Sequence, residues 1–168
     1  IDLGRNAEIV AWLGRIASAE IETRPRFWAP AGWALANTNR GEEARSFAEA
    51  IRNNPNAGEF ERYEADLIQS AASAHNDDHD NWDLLPQRWP APPKYAEPSQ
   101  MVIHSVSLAH RAILSGRPET GRQCLNMPLI APNPSRPIAP VSLSFAEALR
   151  GLSYLWEGKP LTAAGILR

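Results

Sequence analysis

Cysteine is nearly absent from this sequence. Cys124 stands alone, so no internal disulfide can form, which fits a reducing cytoplasm. No excess of either charge is present either. Seventeen Lys and Arg against 19 Asp and Glu leave a formal net charge of −2. That is no basic footprint for nucleic acid, and it argues against direct nucleic-acid binding by this segment. No apolar run reaches about 18 residues, so nothing in the sequence reads as a membrane span. The chain opens Ile1-Asp2-Leu3 without a signal-peptide pattern. No G-x-x-x-x-G-K-[ST] phosphate loop occurs, and no cofactor is expected in this segment. Neither paired carboxylates nor a Ser-His-Asp arrangement stands out, so the chain is not read as an enzyme. Strand-like alternation of useful length is missing as well.

What is present is helical periodicity. Asn6 to Ala19 sets Ile9, Val10, Leu13 and Ile16 on one face. Pro25 suits the first turn of a helix running to about Ala36. Further helices are expected over Glu42 to Arg52, Glu59 to Ala74, Trp82 to Leu85, Ser99 to Leu114 and Pro118 to Asn126. A final pair is expected within Phe145 to Arg168. Prolines gather in two tracts, Pro86 to Pro98 and Pro128 to Pro140, which read as extended connectors. The opening without Met, and an end at Leu167-Arg168 inside an apolar run, lead us to expect a piece of a larger protein.

Three turns align: "TNRGEEAR", "SGRPETGR" and "EGKPLTAA", anchored on Asn39, Gly116 and Gly158. Five residues after each anchor stands a small residue: Ala44, Gly121, Ala163. A fourth turn, "HNDDHDNW", fits on Asn76, so the anchors fall 37, 40 and 42 residues apart. The pattern predicts helical hairpins that bury their apolar faces by stacking. Residues 1–168 are thus expected to form one helical-repeat domain of about four hairpins, with proline-rich connectors.

The spacing Gly151, Tyr154, Gly158, Ala163, Leu167 resembles that of tetratricopeptide (TPR) repeats. Over most of residues 6 to 168 the order of features is similar to the helical-repeat sensor region of large ATP-dependent LuxR-type transcriptional activators, the group of the maltose-regulon activator. There a short helix like "NAEIVAWLGRI" precedes a stretch like "RPRFWAPAGWALANTNRGEEARSFAEAI", and later hairpins resemble "LAHRAILSGRPETGRQCL" and "FAEALRGLSYLWEGKPLTAAGIL". The resemblance implies an all-α, right-handed α-α superhelix in a cytoplasmic regulator. It further implies a segment that binds a small-molecule inducer or a regulatory protein and passes that binding to the parent's other domains. The units here, near forty residues, are longer than the roughly 34 of a TPR. The alternative is a general TPR scaffold for a peptide or partner protein.

Counting from the anchors, seven residues are expected on the concave wall of the A helices: Arg26, Trp33, Tyr63, Asp66, His110, Phe145 and Trp156. Aromatic bulk with sparse polar groups suits a small organic ligand. The competing reading is that the aromatics pack between hairpins. His75 and His79 lie four apart among Asp77, Asp78 and Asp80, a spacing that could hold a metal on a continuous helix. Asn76-Asp77-Asp78 also makes a good helix break, and a capping turn without metal is the reading taken. Cys124 is expected to be a buried structural thiol. An uncapped apolar face at Leu161, Ile166 and Leu167 suggests self-association.

Overall fold

The computed structural model describes residues 5–16, 27–75, 78, 81, 83–126 and 140–168. Every regular element among them is a helix, and none is long and apolar enough to cross a membrane. The chain forms two compact units, residues 1–91 and 92–168, and the boundary falls inside the first proline tract.

The first unit contains α1 (Asn6–Leu13), α2 (Trp28–Ala36), α3 (Gly41–Asn53), α4 (Glu59–His75) and α5 (Leu84–Arg88). Helices α2 and α3 form a hairpin, and α4 packs on both. The Ala-rich strip Ala31, Ala34, Ala36, Ala44 and Ala48 is fully buried, so these backbones approach closely. At Gly32 an added Cβ would meet the Ile68 side chain of α4 at 3.1 Å, so α2 and α4 approach closely there. Helix α1 ends at Leu13, short of the expected Ala19; its Ile9, Val10 and Leu13, and Ile16 beyond it, are half-buried, and Trp12 meets Phe27 edge-to-face at 5.7 Å.

The second unit contains α6 (Pro98–Leu114), α7 (Pro118–Leu125), α8 (Pro140–Trp156) and α9 (Pro160–Ile166). Its core gathers Ala109 and Ile113 of α6, Leu125 of α7 and Leu149 of α8, flanked by Val106, Cys124, Ala146 and Leu152. At Gly121 a Cβ would stand 2.6 Å from Ile113 Cγ1 and 3.0 Å from the Ala109 carbonyl oxygen. Helix α7 therefore lies almost against the backbone of α6.

Three hairpin turns share one geometry. Asn39, Gly116 and Gly158 take φ of 61°, 74° and 72°, the left-handed region that Gly and Asn tolerate. The next residue's N–H then reaches back five positions: Arg40 to the Leu35 carbonyl, Arg117 to that of Ala112, Lys159 to that of Tyr154, at 2.9–3.0 Å. That bond closes a Schellman motif and satisfies carbonyls the ending helix leaves open. The same basic residue then accepts, through its own carbonyl, the N–H of Ala44, Gly121 or Ala163. The anchors aligned in the sequence are thus the three positive-φ turn residues. The fourth anchor, Asn76, lies outside the described residues, as does the expected start near Pro25.

Two expectations need correction. Pro86 does not open an extended connector but lies in α5, which runs past the expected Leu85 to Arg88, and Pro98 and Pro140 do not close such connectors; each is the first residue of a helix, α6 and α8. A fixed φ and a missing N–H suit that position, where the N–H would have no partner within the helix. Helix α8 consequently begins five residues ahead of the expected Phe145. The Gln100 side chain accepts the Glu97 backbone N–H at 3.0 Å and helps fix the start of α6.

Candidate functional site

The expected wall splits between the two units: Trp33, Tyr63 and Asp66 in the first, His110, Phe145 and Trp156 in the second. Arg26 lies outside the described residues.

In the first unit the three are interior groups and form no open wall. Tyr63 of α4 has no exposed surface, and the Trp89 ring sits edge-on to it with centroids 5.0 Å apart. Asp66, one turn further along α4, is buried under the same segment. Its Oδ1 accepts from Arg52 of α3 at 2.9 Å and from Arg88 of α5 at 2.8 Å, while Oδ2 accepts from the Trp89 indole at 2.9 Å. Trp33 of α2 is buried, and its indole donates to Glu64 of α4 at 3.1 Å. The chain's own residues 88 and 89 therefore occupy the face where a ligand was expected. A carboxylate on a buried helix face needs cations brought to it, because an unpaired buried charge is costly. The sequence reading set Asp66 on an open wall, so its burial and its cations were both missed; Arg52 and Arg88 reach it from different helices.

In the second unit Phe145 and Trp156 of α8 are exposed and His110 of α6 is half-buried. These three keep surface available for recognition. A polar network missed in the sequence lies at the end of α8 that carries Trp156. Arg122 of α7 donates to Ser153 Oγ at 3.2 Å, pairs with Glu157, and lays its guanidinium 4.5 Å over the Tyr154 ring. Hydrogen bonds from Lys159 and then Arg122 hold the Glu157 carboxyl below the usual range. Arg122 thus ties α7 to the end of α8.

Of the other candidates, Asp77, His79 and Asp80 lie outside the described residues. Asp78 pairs with Arg45 at 2.8 Å and accepts from Asn81 at 2.7 Å, a structural tie between α3 and the chain beyond α4. Helix α5 starts after Asp83, whose side chain makes no capping bond. Among the described residues no three His, Cys, Asp or Glu side chains gather to hold a metal. Cys124 is half-buried beside the α6–α8 core, and burial pushes its thiol up. That is the environment of a packing thiol rather than of an activated nucleophile.

No protein-family model, curated protein or solved structure matches the chain.

Proposed function

We propose that this chain is a helical-repeat interaction module of the TPR type, its hairpins stacked as a right-handed α-α superhelix. The observation that carries this reading is the recurrence of one Schellman-closed turn at Asn39, Gly116 and Gly158, each followed by a buried small residue at the same offset. Hairpins of this kind gain stability by stacking, and their inner helices offer a continuous binding face. In the setting the sequence resemblance implies, the module is the effector-sensing segment of a cytoplasmic, ATP-dependent LuxR-type activator. It takes an inducer or a regulatory protein and passes that binding to the parent's other domains.

A second reading, a scaffold for a peptide or partner protein, is favoured by one specific observation. Tyr63 and Asp66 are already covered by Arg88 and Trp89, while Phe145 and Trp156 of α8 keep exposed aromatic surface. Tryptophan fluorescence and thermal shift against a set of small metabolites, and separately against helical and extended peptides, test both readings. Under the sensor reading a metabolite raises the unfolding midpoint, and Trp156→Ala or His110→Ala removes the effect. Under the scaffold reading a peptide does so instead. Binding of either kind that both variants leave unchanged removes the proposed face.

A further inference from the structure

Helices α3 and α4 are joined by the short stretch 54–58 and pack against each other, which makes them antiparallel neighbours. The ion pair Arg52–Asp66 marks one level of their contact. Arg45 stands two turns back along α3 and Ser73 two turns on along α4, so these two come to a second, common level. Between the levels α4 turns a polar stripe inward: Asp66, Gln69, Ser70 and Ser73 are all buried.

The two levels are satisfied differently. At the first, both oxygens of Asp66 accept from donors of the chain itself. At the second, three buried atoms have no hydrogen-bond partner among the described residues: Arg45 Nε, Gln69 Oε1 and Ser73 Oγ. All three residues are held around one pair, Asp78 and Asn81. Arg45 Nη1 donates to Asp78 Oδ2 at 2.8 Å, and the Asp78 N–H donates to the Ser73 carbonyl at 3.1 Å. Asn81 donates to the same Asp78 oxygen at 2.7 Å, and its own Oδ1 faces Gln69 Nε2 at 3.5 Å. Gln69 and Ser73 are one turn apart on α4 and so share a face. Buried polar atoms are nearly always paired, because each one left unpaired carries its full desolvation cost.

We propose that Arg45, Gln69 and Ser73 form an internal binding site for a single water molecule, built into the seam between α3 and α4. The donor set selects the ligand. Arg45 Nε offers only a proton, which disfavours a cation. Gln69 Oε1 offers only lone pairs, and the Asp78 carboxylate is adjacent, which disfavours an anion. The ligand must therefore be neutral and both accept and donate. It must also be small: Ala48, between Arg45 and Arg52 on the same face of α3, has no exposed surface, so the helices lie close. One water meets all of this. It accepts from Arg45 Nε, donates to Gln69 Oε1 and exchanges a bond in either sense with the Ser73 hydroxyl, within the two to four partners that buried waters have. The site is independent of any effector and of the proposed function.

A crystal structure of the 168-residue chain at a resolution that orders water tests it directly. One water is expected at hydrogen-bonding distance, about 2.7–3.2 Å, from Arg45 Nε, Gln69 Oε1 and Ser73 Oγ. Oxygen-17 relaxation dispersion, which counts slowly exchanging internal waters, tests it in solution. Gln69→Met keeps the length of the side chain without its acceptor, and Ser73→Val fills the hydroxyl's place with a methyl. Each is expected to lose one slowly exchanging water relative to the parent chain while keeping its helical circular dichroism. Should either variant fail to fold, the crystal structure of the parent chain decides alone. Three outcomes overturn the proposal. One is a crystal structure in which the three atoms bond to one another or to other protein atoms. Another is an ion at the site in place of water. The third is an equal number of slowly exchanging waters in the parent and in both folded variants.

Discussion

His104 sits on α6 with no exposed surface, and burial lowers its pKa from the ordinary 6.5 to about 4. The folded chain therefore holds the imidazole neutral at pH 7, while the unfolded chain takes up a proton below about 6.5. Between those two values the unfolded state binds more protons, so stability falls as pH falls. The contribution is fully present above pH 6.5 and is lost by about pH 4, on the order of 1–3 kcal/mol in total. Urea denaturation of the chain and of His104→Gln across this range checks it; the difference between the two curves should slope there and be level above pH 7. Asp66 sets a different constraint. With Arg52, Arg88 and Trp89 all donating to its carboxylate, Asp66→Asn removes the charge and leaves two guanidiniums without it. We expect a loss on the order of 3 kcal/mol, read as a lowered denaturation midpoint.

At the scale of elements, the hairpin turns and the close helix approaches carry distinct costs. Nothing lies within 4 Å of a Cβ added at Gly116, so Gly116→Ala meets no clash and only the φ of 74° resists it. A loss of about 1–2 kcal/mol is expected, while Asn39→Gly, at the equivalent turn, should cost little. The two glycines at helix contacts differ from each other. Gly121 faces the Ala109 carbonyl oxygen, which belongs to a helix and cannot retreat; Gly121→Ala should cost about 1–3 kcal/mol by overpacking. Gly151 faces only the Leu167 side chain, 2.8 Å from a Cβ but half in solvent, so it can swing aside. Gly151→Ala should therefore leave the thermal midpoint closer to that of the parent chain than Gly121→Ala does. The positions of these turns were legible because a left-handed residue followed by a small one is local chemistry. The partner of each small residue was not, because Leu167 and the Ala109 carbonyl reach it by packing.

For the whole molecule, every regular element among the described residues is helical, so far-UV circular dichroism should show helical minima without a strand component. A spectrum with substantial strand signal would contradict the architecture. The boundary between the two compact units, near residue 91, agrees with the sequence reading at one point: it falls in the tract Pro86 to Pro98, between the end of α5 at Arg88 and the start of α6 at Pro98. The prolines at the ends of the two tracts do something else. Pro98 and Pro140 start α6 and α8, a role that composition alone does not separate from that of a connector.

Helix periodicity, turn residues and small-residue offsets act over a few residues, so the sequence by itself determined where α2, α3, α6, α7 and α9 lie and how three of their turns close. Tertiary structure decided which faces stayed open. Tyr63 and Phe145 occupy the same place relative to their anchors, yet Trp89 covers Tyr63 while Phe145 stands in solvent. Likewise Leu125 lies beneath α8, and Leu167 at the equivalent position is exposed. The physical reason is that burial depends on what another part of the chain brings across a face, and no residue's own neighbours in sequence contain that information.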